Sequence, residues 1–495
     1  MKPSKARRAI LASLAAIATA GMFAFGLGGA NAANISNIDP NQTATLSIHK
    51  FETPSTPTGL PNDGTALTPA QLAALTPMPG VTFTVQPING IDLTTNAGWT
   101  AAAALTPTTA AAQAGAGTTV TTDASGNATL SGLPLGLYLV TETSYPAGVT
   151  PSAPFLVTLP LTNPTDTSSW LYNVNVYPKN SVTTATKTVN DANAIKLGDP
   201  VSWTIKADIP DGNPVDGYKI TDQLDTKLTY SSATVSLSNG AALTSGTDYT
   251  VVYDSTTHTL TVNFTTSGLA ILTANATAQV VVDVNTTVNT VGEISNTAVV
   301  YPNAASFNVT PGQPGGPIVT PPVVTKWGDI VLHKQDSKTQ ASLAGATFQV
   351  YPTQADAQAG TNAITINGVS SWTTDASGNL VISGLRYSNW VNGAAVNPGD
   401  PGYQSYWLVE TQAPTGYELL AQPVETTVTS SDPSVVTVTI DNVPHNAGFQ
   451  LPFTGGPGTW ALTGGGILLL TGAVLFFVFA NRRKNAAEAK EAEVA

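Results

Sequence analysis

Between Ala33 and Thr454 the only basic residues are ten lysines and one arginine, Arg386. A neutral lysine amine is a nucleophile, so in a region this poor in bases a lysine at a special position is notable. Lys179 holds such a position. It follows Tyr172-Asn173-Val174-Asn175-Val176-Tyr177-Pro178, whose alternation reads as a strand ending at Tyr177-Pro178. Lys179 then stands at a domain junction, with its amine within reach of an incoming group. Far along the chain, Leu451-Pro452-Phe453-Thr454-Gly455 precedes an apolar stretch from about Trp460 to Ala480 and then Arg482-Arg483-Lys484. About 20 apolar residues suffice to cross a bilayer, and basic residues directly after a span hold that end in the cytoplasm.

The other end of the chain is consistent with export. Lys2, Lys5, Arg7 and Arg8 precede an apolar run from Ala9 to Leu27, and Ala30-Asn31-Ala32 offers the small-x-small pattern of signal cleavage between Ala32 and Ala33. The C-terminal order of motif, span and basic stop resembles a Gram-positive cell-wall sorting signal. That resemblance implies a chemistry in which a sortase cysteine attacks the Thr454 carbonyl and expels Gly455 and all that follows. Thr454 is then held as a thioester, which an amine resolves.

Composition narrows the remaining choices. The stretch from Ala33 to Thr454 is long enough for about three domains at ~100–200 residues each. With no cysteine, disulfides are excluded. A net charge of −12, with only 10% of residues charged, argues against a nucleic-acid partner. There is no Gly-rich phosphate loop. His49 and His333 occupy equivalent places in repeated strands, while His258 and His445 lie elsewhere; neither a metal site nor a cofactor is expected. Short alternating runs such as Thr82-Phe83-Thr84-Val85 and Val435-Val436-Thr437-Val438-Thr439-Ile440 suit β-sandwiches joined by turns. Pro69–Leu75 and Thr100–Leu105 are candidates for short helices.

The first and last parts of the exported region repeat one another. Leu46-Ser47-Ile48-His49-Lys50 matches Ile330-Val331-Leu332-His333-Lys334, and Thr121 to Asn127 recurs identically as Thr373 to Asn379. Tyr138-Leu139-Val140-Thr141-Glu142-Thr143 aligns on Tyr406-Trp407-Leu408-Val409-Glu410-Thr411. The expected order is a signal peptide at 1–32, a β-sandwich at 33–180, a second of different pattern at 181–309, a Pro/Gly linker at 310–325 and a third sandwich at 326–450. The sorting segment at 451–495 closes the chain. The fold class is all-β, three tandem immunoglobulin-like sandwiches.

The Tyr177-Pro178-Lys179 segment after its Val-x-Val strand resembles the pilin motif of sortase-assembled backbone pilins. The resemblance implies that Lys179 attacks the Thr454 thioester of another copy, giving a head-to-tail fibre with a covalent joint. Residues 406–417, through Glu410 and Pro414-Thr415-Gly416-Tyr417, resemble the E-box of these pilins. Domains of the Cna-B type pair such a glutamate with a first-strand lysine and a last-strand asparagine, which fall here on Lys334 and Asn442. A buried lysine has a lowered pKa and can act as a neutral nucleophile, and a buried carboxyl can hold a proton to polarise the amide. Strand pairing supplies a high effective molarity, ammonia leaves, and a Lys334–Asn442 amide remains.

For the middle domain the resemblance implies Lys187 and Asn296 with Asp222, with Asp225 or Glu293 as weaker acids and Lys196 as a weaker amine. For the first domain it implies Lys50 and Asn180 with Glu142. There the E-box departs from the pattern, with Tyr145 where Ala413 stands and Val149 in place of Tyr417.

The function implied is the shaft subunit of a surface pilus, a structural protein and not an enzyme, anchored at the cell wall. The alternative is a wall-anchored adhesin or an ancillary pilin at a tip or base. Implied partners are a pilin-specific sortase, a housekeeping sortase with its peptidoglycan precursor, other copies of the chain and ancillary pilins; a host receptor is not indicated.

Overall fold

The computed structural model describes residues 38–445 apart from 55, 212 and 213. The expected signal cleavage at Ala32–Ala33, the Leu451–Gly455 motif and the apolar stretch after it lie outside the described residues. Among the described residues no helix is long and apolar enough to cross a membrane.

Each β-unit places two sheets face to face. In the first, strand Ala44–His49 lies between Asn173–Val176 and Asn127–Leu133. The facing sheet runs Thr118–Thr121, Thr82–Pro87, Gly136–Ser144, Phe155–Leu159. Alternate residues turn inward, so Leu46 and Ile48 meet Phe83, Val85 and Val140 in a dry core. The other side of the second sheet is also apolar. Leu137 and Leu139 are covered there by the Ala/Thr/Pro-rich insertion, through Leu93, Ala102 and Ala110. That insertion holds two helices, Asn96–Ala103 and Pro107–Ala111, started by the side-chain caps Thr95 and Thr106. The earlier insertion holds Pro69–Leu72, where Thr68 and Gln71 form a capping box.

The middle unit packs Ala185–Asn190, Pro200–Asp208, Gln279–Val288 and Leu228–Leu237 against a five-stranded sheet from Tyr249–Asp254 to Ile318–Val319. Here the structure differs from the expected spacer at 310–325. Ile318–Val319 is a strand of the middle sheet, and Val323 opens a 14-residue strand that continues to Asp336. The prolines break the segment only locally, and its β-branched residues pair wherever a partner edge is present. The long strand pairs first with Gly292–Asn296 of the middle unit and then with Asn379–Arg386 of the third. One apolar cluster consequently runs through both units, from Trp203 to Trp327 and Phe348.

Arg386 holds this junction. Its guanidinium is buried and donates to main-chain carbonyls of Ala194 (2.9 Å), Gly402 (3.0 Å) and Trp390. The Tyr406 hydroxyl reaches the Ile195 and Arg386 carbonyls at 3.1 and 2.8 Å. At the other junction, the loop after Glu142 docks on the middle unit. The Gly315 amide donates to the Tyr145 carbonyl at 2.7 Å, and the Gly148 amide to the Gly316 carbonyl at 2.9 Å. Gly148 has φ +75°, and a Cβ there would come within 2.2 Å of the Ile318 side chain. The altered E-box of the first unit is therefore a contact surface.

Replacing Arg386 by methionine leaves several buried carbonyls without donors, a cost of roughly 3 kcal/mol. Calorimetry of Arg386→Met should show a lower melting transition for the middle and third units together, with the first unit's transition unmoved.

Candidate functional site

The repeated units converge their candidate residues by the same register. In the third, Val438–Asn442 lies parallel to the long strand, with Ile440 opposite Lys334 and Asn442 opposite Asp336. In the first, Lys179 lies opposite Phe51 and Asn180 opposite Glu52. In both, the asparagine faces the position two residues beyond the lysine. Positions two apart on a strand share a face, so lysine and asparagine project to the same side, into the space between the sheets. The facing sheet supplies the acid: Glu142 pairs with Phe83, and Glu410 with Phe348.

In the third unit Lys334 is 0% exposed, and its amine donates to the Ile440 carbonyl at 3.0 Å. Glu410 lies 3.9 Å from that amine. The Asn442 amide donates to both Glu410 oxygens, at 2.9 and 3.1 Å, leaving its own carbonyl oxygen buried without a partner. The Leu420 amide donates to Glu410 at 3.0 Å.

The first unit brings the corresponding residues together more tightly. The Lys50 amine donates to both Glu142 and the Asn180 carbonyl oxygen. Asn180 donates to the other Glu142 oxygen at 2.7 Å. Ser152, ten residues after Glu142 as Leu420 is after Glu410, adds a hydroxyl bond to Glu142 and an amide bond to Asn180, each 2.7 Å. Sequence reasoning missed Ser152. Only carrying the gapless match of Tyr138–Thr143 on Tyr406–Thr411 ten residues past the glutamates marks its position, and nothing in the residue itself signals a role.

In the middle unit the three residues come from three places. Lys187 lies on the first strand, Asp222 on the facing sheet, and Asn296 at the end of the strand that pairs with the third unit. Lys187 meets Asp222 at 2.5 Å and the Thr297 carbonyl at 3.3 Å. Asn296 is 1% exposed and its side chain interacts with the Asp222 carboxyl, although neither its amide nitrogen nor its oxygen reaches full hydrogen-bond geometry. The alternative residues do not gather here. Lys196 pairs with Asp199 in a turn, Lys227 with Asp225, and Lys326 with Glu293.

Burial depresses the three lysines, each to about 8, against the pull of the neighbouring acid. Burial also raises the Asp222 carboxyl above the usual range, opposed by Lys187. Each cluster thus presents an amine that loses its proton readily, a primary amide and a carboxyl in a dry space. This arrangement can form an amide and release ammonia.

Lys179 is placed differently. It opens the strand Lys179–Val182 at the boundary of the first and middle units, half-buried, and burial lowers its pKa. Its side-chain amine donates to the Tyr177 carbonyl, at 3.3 Å. The four histidines lie apart from the three lysine clusters in the contacts described for them. His49 and His333 each pair with an asparagine at 2.7 Å, His258 meets the Tyr253 hydroxyl at 3.2 Å, and the His445 amide donates to Gly416.

Comparison with known proteins reaches each of the three units. Residues 41–181 match the Gram-positive pilin subunit D1, N-terminal domain; 182–308 match the Sgo0707 N2 domain; and 328–444 match a prealbumin-like fold domain. The chain is 35% identical to the fimbrial subunit type 1 of Actinomyces viscosus, over 92% of this chain and 93% of that one. It is 34% identical to the fimbrial subunit type 2 of Actinomyces naeslundii over the same shares. The full-length major pilin SpaD of Corynebacterium diphtheriae superimposes with a TM-score of 0.65 at 28% identity, covering 83% of this chain and 99% of that one. With nearly its full length aligned on fimbrial subunits and its fold on a major pilin, the chain belongs to the family of Gram-positive major pilins.

Proposed function

We propose that this pilus shaft subunit is polymerised by a sortase through Lys179 and Thr454, and that each of its three units is closed by an internal Lys–Asn bond. The observation that carries the joint is the placement of Lys179: partly desolvated, at a unit boundary, with no carboxylate in ion-pair contact among the described residues. A sortase cysteine breaks the Thr454–Gly455 bond, and the Gly455 amine leaves with a proton. The Lys179 amine of another copy attacks the resulting thioester, forms an amide to Thr454 and returns the thiol. At the base of the fibre a housekeeping sortase and a peptidoglycan precursor supply the terminal amine, which anchors the pilus to the cell wall.

The internal bonds join Lys334 to Asn442, Lys187 to Asn296 and Lys50 to Asn180, with Glu410, Asp222 and Glu142 moving protons. In each, the lysine nitrogen replaces the asparagine amide nitrogen, which departs as ammonia. The clusters of the first and third units share one register, which supports a bond in the first unit despite its altered E-box. Each bond closes a loop of roughly a hundred residues, which by analogy with disulfides constrains the unfolded chain by ~4–5 kcal/mol.

Cell-wall extracts boiled in detergent should show a high-mass ladder in wild type and only a wall-bound monomer in Lys179→Arg. A wild-type monomer band alone would contradict the joint. The intact mass of the exported body should fall short of its sequence mass by one ammonia per internal bond. Glu410→Ala and Asp222→Ala should each restore one ammonia and lower the melting temperature of the affected unit; no deficit in wild type would contradict the internal bonds.

A further inference from the structure

If Lys179 is the nucleophile of the joint, as proposed above, the two repeats offer an internal comparison of what makes it one. By their shared register, Tyr177, Pro178 and Lys179 of the first unit stand where the third carries Thr439, Ile440 and Asp441. His49 and His333 pair alike with Asn127 and Asn379. Only His49 goes further: its second ring nitrogen meets Asn175 at 3.0 Å, and its ring stacks on Tyr177 with centroids 5.0 Å apart and planes at 15°.

The insertion that separates the first unit from its repeat comes back to the same tyrosine. The Tyr177 hydroxyl accepts from the Leu67 amide at 2.8 Å and donates to the Thr65 carbonyl at 3.2 Å. The Gly64 carbonyl accepts from the Asn175 amide at 2.9 Å and from its side chain at 3.3 Å. The Tyr177 ring is thus fixed on its face and at its tip, while its carbonyl holds the Lys179 amine. Pro178, between them, has a fixed φ and no N–H to divert. A lysine side chain is long and rich in rotamers, and holding its amine in one orientation is what brings an acyl-transfer reaction near to attack geometry.

We propose that Tyr177 is a positioning residue for the joint-forming amine. Its phenol, clamped by residues 64–67 and stacked on His49, orients the backbone carbonyl that holds the Lys179 amine toward the incoming thioester.

The test separates acceptor from donor. A full-length acceptor carrying Thr454→Ala cannot be cleaved, and a full-length donor carrying Lys179→Arg cannot accept, so with a pilin sortase the pair yields a single dimer. Tyr177→Phe in the acceptor keeps the ring stack and removes only the two hydroxyl bonds. It should lower the maximal rate of dimer formation on the order of tenfold, with little change in the half-saturating acceptor concentration. Donor cleavage and the ammonia deficit should stay at wild-type values, and the first unit, though its melting temperature falls by the few degrees that two part-buried hydrogen bonds are worth, should remain fully folded at the assay temperature. An undiminished rate in Tyr177→Phe, with Lys179→Arg acceptor silent, would overturn the positioning role while leaving the nucleophile in place. A loss accompanied by unfolding of the first unit at the assay temperature, or by a changed ammonia deficit, would overturn it too, as plain destabilisation. Dimer formation by a Lys179→Arg acceptor would instead remove the nucleophile itself.

Discussion

A lysine amine enclosed between two apolar sheets is the constraint on which the rest of the structure turns. Lys50 and Lys334 are fully buried, and Lys187 nearly so. An unpaired charge there would be prohibitively costly, so each amine must meet an acid and an amide or give up its proton. The strand register meets that demand in the first and third units by setting an asparagine two positions beyond the lysine, and the facing sheet adds the glutamate opposite a phenylalanine. Conversion to an amide removes the charge altogether. On the proposed chemistry, a chain with no cysteine has its own means of tying first strand to last.

The same β-unit serves two purposes in one chain. In the third, the closing strand carries Thr439, Ile440 and Asp441 before Asn442, so an aspartate and not a lysine stands beside the asparagine. In the first, the corresponding stretch places Lys179, the proposed joint lysine, beside Asn180 and surrounds Tyr177 with an insertion. On the proposed chemistry, placing both in one strand has a structural consequence: whatever fixes Asn180 also fixes its neighbour Lys179. The loop after Glu142, freed from the usual E-box sequence, docks against the middle unit and holds the same boundary from the other side.

Much of this was legible in the sequence because it is local or repeated. The Thr-Thr-Asp-Ala-Ser-Gly-Asn turn, the alternation before Lys179 and the E-box spacing are short patterns, and pairing the repeats aligns Lys50 with Lys334. What escaped depends on partners distant along the chain. The Pro/Gly stretch looks like a spacer until the edge that receives Ile318–Val319 is present. The sharing of a sheet between middle and third units follows from Gly292–Asn296 meeting a strand that is otherwise the third unit's own. Ser152 gains a role only once folding brings it to Glu142, and Arg386 only once Ala194 is delivered from the neighbouring unit.

The joint between copies is the central claim, and peptide mapping of purified fibres tests it most directly. Digestion followed by tandem mass spectrometry should yield a branched peptide in which the Lys179 side-chain nitrogen carries the Thr454 carbonyl. Recovery of Lys179 as a free amine, with Thr454 bound only to wall peptide or to another lysine, would contradict the account.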